Sequence, residues 1–209
     1  GDIADTHAVR ETIRAHAIDT VVNFAAESHV DRSILDSLEF AMTDVIGTVV
    51  LLTEARRASV RRYVQVSTDE VYGAIPVGAA TEEHPLRPNN PYSAAKAGGD
   101  FQVHAAHHTY GFPTLITRGS NTYGPYQYPE KIIPLFVTNL LEGRTVPLYG
   151  TGRQRREWLS VDDHARGILA ILEHGIPGTA YNLGSGEECD NLTLARMILA
   201  ELGKGEDMI

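Results

Sequence analysis

The sequence predicts an α/β fold built on a parallel sheet. Three observations carry that reading. Short β-rich apolar runs alternate with amphipathic helical stretches along the chain. The intervals between runs, roughly 15–25 residues, suit helical crossovers rather than hairpins. Polar segments, Ala25-Ala26-Glu27-Ser28 and Ser67-Thr68-Asp69-Glu70, directly follow two of the runs, at the strand ends where open parallel sheets bind ligands.

The elements follow in order. Asp5 to Ala17 reads as a helix with Asp5 or Thr6 as N-cap. Thr20 to Phe24 is a short apolar strand. Asp36 to Ala58 is a long helix, opened by the capping pair Asp36 and Glu39 and striped by Phe40, Val45, Val49 and Leu52. Tyr63 to Ser67 is a strand. Pro91 to Tyr110 is a helix with Asn90 as N-cap and Pro91 at its first position. Thr114 to Thr117 is a strand. Gly119 to Pro134, rich in Gly, Asn, Tyr and Pro, reads as a loop. Beyond it come a helix near Ile132 to Glu142, strands near Val146 to Leu148 and Glu157 to Leu159, a helix Asp162 to His174, a strand Ala180 to Leu183 and a helix from Leu192.

The chain has 209 residues, which suits one domain or one and a fraction at roughly 150 residues per domain. Hydrophobic residues make up 43% and charged ones 22%, a globular balance that argues against wholesale disorder. A net charge of −9 argues against general nucleic-acid binding but leaves room for a local anion pocket. The single cysteine, Cys189, fits a reducing, cytoplasmic compartment. No apolar stretch approaches the ~20 residues of a membrane span.

The strongest chemical signal is Tyr92-Ser-Ala-Ala-Lys96. Positions i and i+4 share a helix face, so a phenol lies beside an ammonium that favours its ionised form. Such a pair can take a hydroxyl proton while hydride leaves the same carbon; a surface Tyr and Lys one turn apart also fit the spacing. Ser67-Thr68-Asp69-Glu70 offers a hydroxyl and two carboxylates at a strand end, an acid and a base if their environments separate them, or else a polar turn. Arg153, Arg155 and Arg156, with Lys131 and the Gly/Asn loop, suggest a phosphate site. His104, His107 and His108 share metal-ligand spacing, but with no Cys or acidic partner they read as an ordinary helix face, and no metal is expected. Asn191-Leu192-Thr193 matches a glycosylation sequon; without a secretory signal, Asn191 reads as a helix N-cap or a ligand contact. No GxGxxG or GxxGxxG occurs in the 209 residues.

Together these segments resemble the extended short-chain dehydrogenase/reductases, most closely the dTDP-glucose 4,6-dehydratases. The matching pieces are NFAAESHVDRSI (23–34), VSTDEVYG (66–73), PYSAAKAGGD (91–100), SNTYGPYQYPEKIIP (120–134), PLYGTGRQRREWLSVDDHA (147–165) and YNLGSGEECDN (181–191). They occur in the family's order over nearly the whole chain. YxxxK marks only the superfamily, whereas the Thr-Asp-Glu triplet is more specific. Three positions depart from the family's pattern: Asp44 for a usual Asn, Thr122 for Asn, and Ser160 for an aromatic.

The resemblance implies a Rossmann-like doubly wound parallel sheet whose Gly-rich first unit, roughly 50–60 residues, precedes Gly1, with a smaller C-terminal substrate-binding lobe. Residues 1–120 would form a partial NAD-binding domain, and residues 121–209 mostly a sugar-nucleotide lobe interleaved with it. The implied catalytic set is Thr68, Asp69, Glu70, Tyr92 and Lys96. Asp2, Ile3, Ala25, Ala26, Ser28 and Thr43, with Tyr92 and Lys96, would line NAD. Asn121, Lys131, Pro147, Tyr149, Arg156 and Asn191, with Thr68, would hold the nucleotide sugar. The implied reaction is NAD-dependent loss of water from a nucleoside-diphosphate glucose; a sugar-nucleotide epimerase or decarboxylase, or a non-catalytic nucleotide-binding fragment, is the alternative. The family also implies a homodimer through helices 36–58 and 92–110, with neither nucleic acid nor membrane as partner.

Overall fold

The computed structural model describes residues 1–209, which fold as two compact units. The first comprises Gly1–Gly119 and Gly167–Leu183, the second Ser120–Arg166 and Gly184–Ile209.

The first unit opens with α1 (Thr6–Ala15), whose Asp5 side chain accepts hydrogen bonds from the His7 and Ala8 amides, and β1 (Thr20–Asn23). A short α2 (Val30–Leu35), missed by periodicity, follows. The long helix expected over 36–58 is a composite: α3 (Ser37–Phe40), a π-helical stretch Ala41–Gly47, and α4 (Thr48–Arg57). A π turn changes register without changing composition, so a 3.6-residue stripe does not reveal it. Next come β2 (Arg62–Thr68), a three-ten turn Asp69–Tyr72, α5 (Pro91–Tyr110) and β3 (Thr114–Gly119). Asn90 and Ser93 cap α5 reciprocally, and Gly111 ends it in the left-handed conformation at φ 64°.

The second unit holds β4 (Asn121–Tyr123), α6 (Ile132–Leu141) and β5 (Arg155–Ser160). Helix α7 (Val161–His174) begins here, and its residues from Gly167 onward belong to the first unit, as does β6 (Ala180–Leu183). The second unit closes with β7 (Glu188–Asp190) and α8 (Asn191–Glu201). Two expectations need correction. The segment 119–134 is not all loop, because β4 lies inside it. Val146 to Leu148 is not a strand: Val146 is buried by packing with Phe136, Leu140 and Leu199.

In the first unit the strand order is β1-β2-β3-β6, all parallel. Alternation along β2 serves both faces. Tyr63 joins a core with Val9, Ile13, Leu51, Leu52, Val103 and Phe112. Val64 joins the opposite one with Leu115, Ile168 and Ile171. Helices therefore cover both faces, and the sheet is doubly wound. In the second unit β5 pairs in parallel with β4 and antiparallel with β7.

Helix α5 lies unusually close to the π stretch. A Cβ at Gly99 would fall 2.8 Å from the Asp44 carbonyl oxygen, and one at Gly98 2.8 Å from Val45. Two glycines inside a helix cost about 1 kcal/mol each relative to Ala; here they permit the approach that brings Asp44 to Lys96.

Candidate active site

The site in the first unit is assembled where β2 ends and α5 begins. Thr68, the last residue of β2, donates to Asp69 Oδ1 at 3.3 Å and accepts from the Glu70 amide at 3.2 Å. The hydroxyl thus sets the turn that presents both carboxylates. Asn90, already the α5 cap, also donates through Nδ2 to Glu70 Oε2 at 3.3 Å, a positioning role that sequence reading did not find.

Tyr92 enters on the first turn of α5, its ring edge-on to Phe40 at 6.4 Å. Burial pushes its phenol well above the ordinary value. The Glu70 charge adds to that, Thr68 opposes it through a hydrogen bond, and Asp44 and Asp69 add smaller upward pushes. Tyr92, Thr68, Asp69 and Glu70 therefore share one neighbourhood. The expectation that Lys96 lowers the Tyr92 phenol is not met. The Lys96 ammonium, 4% exposed, donates to the Val66 carbonyl at 2.8 Å and lies 3.5 Å from Asp44 Oδ1, so its charge is engaged elsewhere.

Asp44 is 1% exposed, and neither carboxylate oxygen accepts a hydrogen bond. Burial raises its pKa to about 6, against the opposing pull of Lys96 and the Glu27 backbone. Beneath the site runs a second buried chain. Arg118 donates to Asp100 Oδ2 at 3.0 Å and to the Tyr72 hydroxyl at 2.8 Å, and Tyr72 donates to Asn182 Oδ1 at 2.7 Å. It anchors β3 and β6 to the turn after β2.

The other residues assigned to NAD lie in the same unit. Ala25, Ala26 and Ser28 occupy the coil after β1, where the Ala25 amide donates to Asn23 Oδ1 at 3.1 Å. Thr43 is half-buried in the π stretch. Asp2 is exposed and Ile3 packs against Gly47. Small side chains at Ala25 and Ala26 leave this coil's backbone approachable, as a dinucleotide site requires, and the Phe24 ring is exposed at the strand end.

In the second unit, Asn121 lies on β4, Lys131 precedes α6, and Pro147 and Tyr149 lie exposed on the coil between α6 and β5. Arg156, on β5 opposite Cys189, is exposed; its NH1 donates only to the Arg155 carbonyl at 2.9 Å, and no carboxylate pairs with it. The three-arginine cluster needs correction, since Arg155 pairs with Glu188 at 3.1 Å. So does the N-cap reading of Asn191: Asp190 caps α8, and Asn191 is its first residue. Of the three histidines, His107 turns Nδ1 to the Phe112 carbonyl at 2.9 Å.

A family model described as GDP-mannose 4,6 dehydratase matches residues 1–208. The chain belongs to this family. It is 51% identical over 209 residues to a dTDP-glucose 4,6-dehydratase of Streptomyces niveus, covering all of this chain and 62% of that one. The crystal structure of the dTDP-glucose 4,6-dehydratase DesIV of Streptomyces venezuelae, with NAD and TYD bound, superposes with a TM-score of 0.97 at 51% identity, covering 100% of this chain and 64% of that one. A UDP-glucose 4-epimerase of Thermotoga maritima with UDP-glucose reaches 0.94 at 26% identity, over 99% and 68%. The chain thus spans less than two thirds of the dehydratases it matches. Within the family, the Thr68-Asp69-Glu70 turn and the Tyr92–Lys96 pair of this chain fall in the part that is covered.

Proposed function

We propose that the protein dehydrates a nucleoside-diphosphate glucose, dTDP-glucose being the first choice, to the 4-keto-6-deoxy sugar. The observation that carries this reading is the gathering of Tyr92, Thr68 and the Asp69–Glu70 pair at one strand end. NAD⁺, when bound, takes hydride from C4 and returns it to C6. Tyr92 takes the proton of the 4-hydroxyl, and Thr68 hydrogen-bonds the 4-oxygen. The C4 ketone acidifies the C5 proton, which Glu70 removes. Asp69 donates a proton to the departing 6-hydroxyl, and water leaves. A poor leaving group needs an acid and a C–H bond needs a base, so two carboxylates are required where an epimerase needs neither. Glu70 then returns its proton to C5.

Lys96 and the coil 25–28, with Asp2, Ile3 and Thr43, hold the dinucleotide in this reading. Asn121, Lys131, Pro147, Tyr149, Arg156 and Asn191 hold the nucleotide diphosphate, with Arg156 the phosphate partner: its guanidinium is exposed and forms no ion pair. The protein works as a cytoplasmic homodimer. Leu38, Met42, Ile46 and Phe101 expose an apolar strip along α3, the π stretch and α5, which a second copy would cover. No helix is long and apolar enough to cross a membrane.

The test is Asp69→Asn combined with Glu70→Gln in the full-length protein. Water loss should stop, while Tyr92-dependent oxidation still yields NADH absorbance on substrate addition. Dehydration near the wild-type rate would overturn the assignment.

A further inference from the structure

Asp44 is a buried acid that the proposed reaction does not use. The π stretch and the two glycines of α5 carry it to 3.5 Å from Lys96 Nζ, at 1% exposure. Its backbone is fixed from both sides: its carbonyl accepts from Thr48 Oγ1 at 2.7 Å and abuts Gly99. Yet its carboxylate oxygens accept no hydrogen bond. A buried carboxylate is ordinarily satisfied by several donors. This one has the Lys96 ammonium and the pull of the Glu27 backbone.

We propose that Asp44 is a positioning residue of the Tyr92–Lys96 couple, its carboxylate holding the Lys96 ammonium and cancelling that charge at the Tyr92 phenol. While Asp44 is ionised, its carboxylate offsets the Lys96 charge and, with burial, Glu70 and Asp69, pushes the Tyr92 phenol up. When Asp44 is protonated or replaced by a neutral residue, the Lys96 charge acts on Tyr92 uncompensated and favours the phenolate. The charged and titratable groups bearing on Asp44 are Lys96 and Tyr92 of α5 and Glu27 of the coil after β1; Asp100, one turn along α5, bears on Lys96. Because burial already raises Asp44 to about 6, the switch lies near neutral pH.

This inference rests on the dehydratase reading for its catalytic consequence, but its first test does not need activity. Replacing tyrosine by a fluorinated analogue makes the phenols more acidic and brings their ultraviolet titration into reach. The Tyr92 band is the one missing from Tyr92→Phe. It should titrate roughly 0.5–1 pH unit lower in Asp44→Asn than in wild type, and unchanged in Asp44→Glu. Asp44→Ser, neutral and smaller, should shift in the same direction and guards against a folding defect peculiar to Asn. In turnover by the full-length protein, the part of the rising limb of kcat that lies above pH 6, where wild-type Asp44 is ionised, should move to lower pH in the neutral variants, giving about three- to tenfold more activity there relative to plateau. An unmoved Tyr92 band in both neutral variants would overturn the role of Asp44. Absence of any dehydration by wild-type protein would instead overturn the functional reading and leave the band shift standing.

Discussion

The two units present their candidate residues in opposite ways. In the first, Thr68, Asp69, Glu70, Tyr92 and Lys96 sit on or beside regular elements, and the charges around them are buried: Lys96, Asp44, Asp100 and Arg118 are each under 8% exposed. In the second, Pro147, Tyr149 and Arg156 are exposed, and two of them lie on irregular chain. Groups that handle protons gain from fixed positions and low dielectric, because both sharpen pKa differences. Groups that grip a phosphate gain from an accessible, unpaired cation that the ligand itself orders. Charge removal should therefore cost fold stability in the first unit and only ligand affinity in the second.

The largest expected effect is Arg118→Leu. It strands the Asp100 carboxylate in a site where burial already pushes its pKa up, and it takes a donor from the Tyr72 hydroxyl. Breaking a buried ion pair from one side typically costs about 3–5 kcal/mol. Urea denaturation should show a loss of that order, partly recovered in the Arg118→Leu, Asp100→Asn double variant. If Arg118→Leu unfolds at the wild-type midpoint, the contrast between the units is lost.

Next is the pH dependence of folding stability around Asp44. Burial raises its carboxyl from the ordinary 3.8 to about 6. The folded state therefore binds the proton more tightly, and stability from this group is present below about pH 4 and lost as pH rises through 6. The difference corresponds to about 3 kcal/mol as an order of magnitude. Thermal melts of wild type against Asp44→Asn between pH 4 and 8 should show a falling component in wild type that the variant lacks.

Much of this organisation was legible in the sequence because capping and alternation are local. Asn90-Pro91 announces α5 to the residue, and Tyr63-Val64-Gln65-Val66 places one strand between two cores. The Asp69–Glu70 turn was readable as a pair following a strand. What escaped depends on partners distant in sequence. The π stretch is visible only through what it brings together. Asp44 stood out as a departure, but its ion pair with Lys96 exists only once Gly98 and Gly99 let α5 close on it. The Arg118–Tyr72–Asn182 chain joins residues up to 110 positions apart, and no spacing rule reaches that far. Arg155 and Arg156 looked equivalent until strand pairing set Arg155 opposite Asp190 and diagonal to Glu188, with which it pairs.

That last distinction yields the smallest effect on the fold and the sharpest on binding. Adjacent strand residues face opposite sides of a sheet, so β5 turns Arg155 to a carboxylate and leaves Arg156 without one. Arg156→Ala should leave the melting temperature within a degree or so, since an exposed, unpaired side chain contributes little to stability. If the full-length protein has the proposed activity, the substitution should raise KM for the sugar nucleotide roughly 10- to 100-fold with kcat nearly unchanged, the pattern of lost uniform binding. Arg155→Ala should do far less to KM, because its guanidinium is already engaged. Equal KM effects from the two would show that strand pairing does not select the phosphate partner, and a fall in kcat from Arg156→Ala alone would move that residue from gripping the substrate to aligning it.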